Sequence, residues 1–350
     1  MSYITGNAAE RTSEQQLPLP TAVGLPAGTT IENVRGPISN AQLGALVQRQ
    51  KIFEQGQFGI TYKGKDNATG REYAIKLLPY TDGIEPGARD ARFDAQRERV
   101  ITKAAECFPG LACFVNAFEV DGTEQLTSLA LVTRWVDGVG LSDAIKAHMP
   151  ATNLKVSVAL LALFNAILYL HSQGIVHRDV HPGNIIMSAG CFESDEIELC
   201  EPTLIDFGKS CLVKESGLEF LVCDFYKSDS LSRLEELQGL GAIYYTHPSY
   251  FKAKTNEEKV DAIMYSDIWG AYLSIYQWML QQPIAPTKMF AETRWRNESD
   301  QQRLLELVAF YEQTPAPLQQ MSWRWDVLEE KYSPELVAEM KDILLRETPP

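Results

Sequence analysis

The block His177-Arg178-Asp179-Val180-His181-Pro182-Gly183-Asn184 packs a carboxylate, two imidazoles and a carboxamide into eight residues. It follows the apolar stretch Lys155–Ser172, whose composition predicts a buried helix, so the block falls in a loop, where reactive groups are usually displayed. Twenty-two residues after Asn184 comes Asp206-Phe207-Gly208, entered from the apolar strand Thr203–Ile205. An acidic residue at a strand end, with an Asn placed five after another Asp, makes a cation site of oxygen ligands from Asn184 and Asp206. Magnesium, or manganese in its place, takes such oxygens and keeps phosphate as a further ligand. Asp179 is then left to accept a hydroxyl proton.

Two upstream features suit the same chemistry. In Gln55-Gly56-Gln57-Phe58-Gly59-Ile60-Thr61-Tyr62 the glycines let the backbone approach a triphosphate with its N–H groups facing the oxygens. An ordinary hairpin turn would read the same way. In Tyr73-Ala74-Ile75-Lys76 an alternating strand carries one lysine, either solvated or, beneath the glycine loop, aimed at phosphates. In the second case Lys76 needs a carboxylate, and Glu98 on the following helix is best placed, with Gln96 in a rival register.

Taken in order, these motifs resemble a eukaryotic-type, serine/threonine-like protein kinase over roughly residues 50–345, as a divergent member. The resemblance implies an α+β bilobal fold, with a β-rich N-lobe, a helical C-lobe and an ATP cleft between them. It implies ATP and magnesium as cofactors, Lys76 on the α/β-phosphates, Glu98 as its partner and Asp179 as base. Asn184 and Asp206 would hold the metal. Gln55, Gly56, Gln57, Phe58, Gly59 and Thr61 would cover the nucleotide. Ala74 would lie over the adenine and Ile186 below it, with Thr133 at the back and Arg134–Val136 at its edge. Asp267, in Ser266-Asp267-Ile268-Trp269, would brace the catalytic loop. A protein substrate is implied, with autophosphorylation of the 208–248 loop, where Ser210, Ser216, Tyr226, Ser228, Ser230 and Ser232 lie. A phosphate there would pair with Arg178.

Several positions depart from the pattern. Glu54 replaces the first glycine of the loop, and Thr61 replaces the apolar residue over the adenine. His181 stands where serine/threonine kinases place a lysine, giving a hydrogen bond for a full charge. His247-Pro248-Ser249 closes the activation segment without its usual glutamate, which removes a carboxylate that would need a buried partner. The residues for the metal, the lysine clamp and the base are thus all present, and the acceptor end is atypical. Two alternatives stay open: a pseudokinase scaffold, and a phosphotransferase acting on a small molecule, to which His-Pro-Gly-Asn is also similar.

The elements that must position these groups follow from periodicity. Strands are expected at Lys51–Phe53, Ile60–Tyr62, Glu72–Leu78 and Leu129–Thr133, with a helix over Ala88–Ala105. Helices follow at Leu141–His148, Lys155–Ser172, Met264–Gln281, Gln301–Tyr311 and Pro334–Arg346, with a hairpin at about 184–206. Residues 1–46 read as a flexible tail and 47–350 as the kinase domain: N-lobe 47–133, hinge 134–138, C-lobe 139–350. The 350 residues are 45% hydrophobic, enough for a sizeable core, and the net charge of −14 excludes a nucleic-acid-binding surface. No apolar run is read as a membrane span. The six cysteines show no C-x-x-C spacing and read as free thiols in a reducing compartment, though Cys191 and Cys200 stand to face each other across a short hairpin. The expected location is cytoplasmic, or the host cytoplasm for a secreted effector or viral protein.

Overall fold

The computed structural model describes residues 29–33, 36–38, 61–66, 69–81, 91–121, 126–193, 200–213, 221–223, 242–282 and 300–350. They form two compact units, and the chain passes from the first to the second at Trp135/Val136, where a hinge is expected.

The first unit is an antiparallel sheet with one helix. Its strands are β1 (Thr29–Asn33), β2 (Gly36–Ile38), β3 (Thr61–Asp66), β4 (Glu72–Thr81), β5 (Phe114–Asp121) and β6 (Leu126–Arg134), in the order β2-β1-β3-β4-β6-β5. Period-2 alternation in β4 buries Tyr73, Ile75 and Leu77 and leaves Ala74 and Lys76 on the other face. Helix α1 (Ala91–Ala104) packs Ala95 into a cluster with Ala117, Leu129 and Leu131. Strands β1 and β2 fall within the residues 1–46 expected as a flexible tail, and β1 pairs with β3 from Thr29↔Asp66 to Glu32↔Lys63. These short segments lack an apolar run of their own, and the pairing comes from the neighbouring strand edge. The expected strand at Lys51–Phe53 lies outside the described residues.

The second unit is mainly helical. After β7 (Gly138–Gly140) come α2 (Leu141–Lys146) and α3 (Asn153–Ser172), then β8 (Ile175–Val176), β9 (Ile185–Ser188), α4 (Gly190–Glu193), β10 (Pro202–Leu204) and β11 (Cys211–Leu212). The helices α5 (Ser249–Lys252), α6 (Asn256–Leu280), α7 (Asp300–Gln313), α8 (Trp325–Lys331) and α9 (Pro334–Leu344) complete it. Thr152 caps α3 by accepting the Lys155 N–H. By length and composition α3 would suit a membrane, yet Leu160, Leu163, Ile167 and Leu170 are buried in this unit, as in the core helix of a globular domain. Helix α6 begins eight residues before the expected Met264. Thr255 and Glu258 form a capping box there, and the polar first turns it stabilises carry little apolar periodicity. Where β7 passes β9, a Cβ on Gly138 would lie 2.1 Å from the Met187 carbonyl oxygen, so this crossing needs glycine.

The free-thiol expectation is overturned. All six cysteines are paired, as Cys107–Cys113, Cys191–Cys200 and Cys211–Cys223. The partners are six, nine and twelve residues apart, and each bond closes a turn or short loop that spacing rules for metal and redox sites do not cover.

The end of the activation segment is tied to the C-terminal helix by a neutral network. His247, fully buried, lies 2.7 Å by Nδ1 from the Ser249 hydroxyl and 2.8 Å by Nε2 from the Arg346 carbonyl oxygen, and its N–H donates to Ser266 Oγ at 3.0 Å. The Tyr265 hydroxyl and Trp269 Nε1–H donate to the carbonyls of Ile343 and Leu344, so three side chains satisfy the last carbonyls of α9 and its exit. Burial lowers His247 from its ordinary value to about 4, despite the hydrogen bond to Arg346. The unfolded chain therefore takes up this proton first as pH falls below about 6.5, so the stability His247 confers is present above that pH and is lost toward pH 4. Urea unfolding across this window should show stability rising with pH by roughly 3 kcal/mol through this group. His247→Gln should flatten that slope by about one proton.

Candidate functional site

In the first unit, register fixes the positions of the expected nucleotide-side residues. Ala74 lies opposite Thr133 on β6 and Lys63 on β3, and Lys76 lies opposite Leu131 and Thr61. Lys76 Nζ meets Glu98 Oε1 at 2.9 Å, with the two side chains only 12% and 4% exposed. This settles the register of α1 for Glu98 over Gln96. Thr102, one turn on, donates to the Glu98 carbonyl at 2.6 Å. Arg134 is exposed, and the Trp135 N–H donates to Glu72 O at 3.1 Å. Gln55, Gly56, Gln57, Phe58 and Gly59 lie outside the described residues.

In the second unit, the β9–β10 hairpin brings together two segments far apart in sequence. Ile185 pairs with Leu204 and Ile186 with Thr203, and the Ile205 N–H donates to Asn184 O at 2.9 Å. Asn184 and Asp206 therefore flank the open end of one hairpin. Asn184 Nδ2 donates to the Asp179 carbonyl at 3.0 Å and to Asp179 Oδ2 at 2.8 Å. Because a carbonyl can only accept, the amide is oriented with Oδ1 as its remaining oxygen. Asp206 adopts a left-handed φ of 65°, and its Oδ1 accepts the Gly208 N–H at 3.0 Å.

Asp179 is buried at the centre of the loop. Its Oδ1 accepts the Ala242 N–H at 2.6 Å, and His181 Nε2 lies 3.6 Å from its Oδ2. Burial would push its carboxyl up, but the hydrogen bond and charge of His181, the charge of His177 and the Ala242 N–H hold it below the usual carboxylate value. His181 Nδ1 accepts the Gly183 N–H at 3.0 Å, which turns Nε2 toward Asp179. His177 is lowered by burial, against the raising influence of Asp267, Asp179 and Asp206. Its Nδ1 accepts the Asp179 N–H and its Nε2 donates to Ile205 O at 3.2 Å, tying the two metal-side segments together.

Asp267 on α6 has the bracing position expected of it. Its oxygens accept the His177 N–H at 2.8 Å and the Arg178 N–H at 2.7 Å, and His171 Nε2 lies 3.0 Å away. Sequence reasoning missed Gly270, one turn further on. A Cβ there would come 2.5 Å from the Val180 carbonyl oxygen, so α6 lies against the catalytic loop at backbone distance. A glycine in mid-helix was its signal, since it costs about 1 kcal/mol against alanine unless packing needs it. The Ala242 backbone donor and the His247 network were also missed. A backbone N–H has no signature in residue type.

The oxygen set fits magnesium. Among the described residues no three His, Cys, Asp or Glu side chains gather into a cage that would bind a metal by itself. A cation that keeps water and phosphate ligands needs one or two protein oxygens, which Asn184 and Asp206 provide.

The model of the protein kinase domain matches residues 47–345. The chain belongs to the protein kinase family. It is 26% identical over 226 residues to calcium-dependent protein kinase 9 of Arabidopsis thaliana, covering 65% of this chain and 35% of that protein. It is 30% identical over 217 residues to serine/threonine-protein kinase CG17528 of Drosophila melanogaster, covering 61% of this chain and 26% of that one. To calcium-dependent protein kinase 29 of Arabidopsis thaliana it is 27% identical over 244 residues, 69% of this chain and 39% of that protein. These matches span well under half the length of the relatives.

In this kinase domain the Asp267 brace and the Gly270 contact make separable claims. Asp267→Ala strands two amide donors, and chemical denaturation should register a loss of about 3 kcal/mol or more. Gly270→Ala keeps every hydrogen-bonding group but forces the Val180 backbone away, and should cost about 1–3 kcal/mol. A fully stable Gly270→Ala protein would contradict the close approach.

Proposed function

We propose that this kinase domain transfers the terminal phosphate of ATP to a serine or threonine hydroxyl of a protein, with magnesium bound by Asn184 and Asp206. The observation that carries the reading is the closed Lys76–Glu98 pair, two nearly buried charges at 2.9 Å. That pair must be in place for a protein kinase to act, because it fixes the lysine on the nucleotide phosphates. Lys76 orients the α/β-phosphates, with Ala74, Thr133 and Ile186 around the adenine and Arg134–Val136 at its edge. Magnesium, when bound, neutralises phosphate charge. Asp179 receives the acceptor hydroxyl proton as the oxygen bonds to phosphorus and ADP departs. Its depressed carboxyl keeps it ionised at neutral pH, and the hydrogen bond to Asn184 aims it. His181 places its Nε2 beside the carboxylate, where the family pattern has a lysine.

A second reading, transfer to a small molecule, is favoured by that same imidazole, since His181-Pro182-Gly183 departs from the protein-kinase loop. A third, a scaffold without turnover, is an outcome of the same experiment. The purified chain, radiolabelled ATP, magnesium and myelin basic protein or casein should yield labelled protein. Asp179→Ala and Lys76→Met should each lower the rate per folded molecule about 100-fold or more, with the folded fraction of each variant measured by circular dichroism. Label on aminoglycosides or amino alcohols instead would select the second reading, and absence of any transfer the third. Labelling undiminished in Asp179→Ala would refute the assignment of the base.

A further inference from the structure

We propose that the Cys211–Cys223 disulfide positions the catalytic loop of this kinase, so that oxidation during folding sets the activation segment where phosphorylation of the segment would otherwise be required. The inference rests on the kinase reading above. Cys211 lies on β11, which pairs with β8 through Cys211↔Val176 and Leu212↔Ile175, immediately before His177. Arg178, only 6% exposed, donates from Nη1 to Cys211 Sγ at 3.1 Å. The guanidinium expected to receive a phosphate is thus directed at the disulfide.

The staple extends this contact along the segment. Cys223 donates its N–H to Leu212 O at 3.0 Å, Val222 bridges Leu212 in parallel, and the Val213 N–H reaches Gly174 O at 2.9 Å. The Ser210 hydroxyl, a candidate phosphate acceptor from sequence, is fully buried and donates to His177 O at 3.2 Å. Further along, the Ala242 N–H holds Asp179 Oδ1. The described ends of the segment therefore both touch the His177–Asp179 loop, one through a covalent closure. A sulfur is a weak acceptor, so the bond acts by fixing the backbone, and Arg178 follows it.

Both sulfurs are fully buried. The bond therefore belongs to maturation, before burial, and is not a rapid switch. Each thiol gives up one proton and one electron, and a disulfide-bearing oxidant takes both electrons and leaves as a dithiol. With all six cysteines paired, free thiols no longer support a reducing compartment, and folding under oxidising conditions is the consistent setting.

The test uses the full chain purified under oxidising conditions and treated with a broad-specificity protein phosphatase that is then removed. Wild type against Asp179→Ala first establishes the kinase reading independently. Phosphatase-treated wild type should keep its rate within about twofold, whereas Cys211→Ser/Cys223→Ser should lose kcat by about tenfold or more with KM for ATP little changed. Cys191→Ser/Cys200→Ser, which opens the hairpin at its far end, should lower thermal stability yet keep kcat per folded molecule. A double-serine 211/223 variant with full kcat would overturn the proposal. So would a wild type that phosphatase inactivates, a result that stands even if the variant fails to fold.

Discussion

Two amide hydrogens, on His177 and Arg178, converge on the buried carboxylate of Asp267, and the helical unit is arranged around that convergence. Arg178 sits at φ 67°, a left-handed conformation that costs a non-glycine residue on the order of 1–3 kcal/mol. Hydrogen bonds to a charged group contribute about 1.5–3 kcal/mol each, so two of them offset the strain. The backbone can then turn sharply enough to present Asp179 toward Asn184 and Ala242. The carboxylate is fixed in turn by α6, which Thr255 and Glu258 start and which Gly270 lets approach to backbone contact. Loss of Asp267 would therefore release strain into the segment that carries Asp179.

Around this anchor the molecule favours neutral and covalent contacts where charged ones would be usual. His247 reaches Ser249 and Arg346 O without a full charge, in a site where a carboxylate would need a guanidinium held with good geometry. His181 places its Nε2 beside Asp179, its ring orientation fixed by Gly183. Cys211–Cys223 closes the start of the activation segment with a bond that carries no charge. At His247 and at Cys211–Cys223, both fully buried, these contacts avoid the desolvation of an ion. The buried charges that remain at the nucleotide side, Lys76 and Glu98, are a pair that chemistry requires.

The Lys76–Glu98 pair could be read from residue order, because a lysine carried into a nearly buried position needs a carboxylate beside it. Lys76, Asp179, Asn184 and Asp206 have few substitutes, and the choice of Glu98 over Gln96 followed from which could neutralise a lysine. The β9–β10 hairpin and α3 were legible because their apolar runs are continuous. What escaped reading depends on backbone or on long-range closure. The Ala242 N–H has no side-chain signature, β1 exists through its pairing with β3, and the start of α6 is polar. The cysteines misled because spacing rules encode metal and redox motifs, whereas these pairs close turns whose geometry only the folded chain supplies.

The covalent and catalytic features meet in one hairpin. Cys191–Cys200 closes the end of β9–β10 that carries α4, and Asn184 and Asp206 occupy the opposite, open end. A pair of residues held by two strands keeps its spacing better than one held by loops, because each residue follows a fixed cross-strand register. The second staple begins five residues after Asp206, so strain at its φ of 65° meets restraint on both sides: Ile205 bonded to Asn184, and β11 pinned to β8. Rigidity is thus concentrated around Asn184 and Asp206. At the other end of the site His181 and Ser249 stand where the family pattern has a lysine and a glutamate, and both are placed by hydrogen bonds, to Gly183 and to His247.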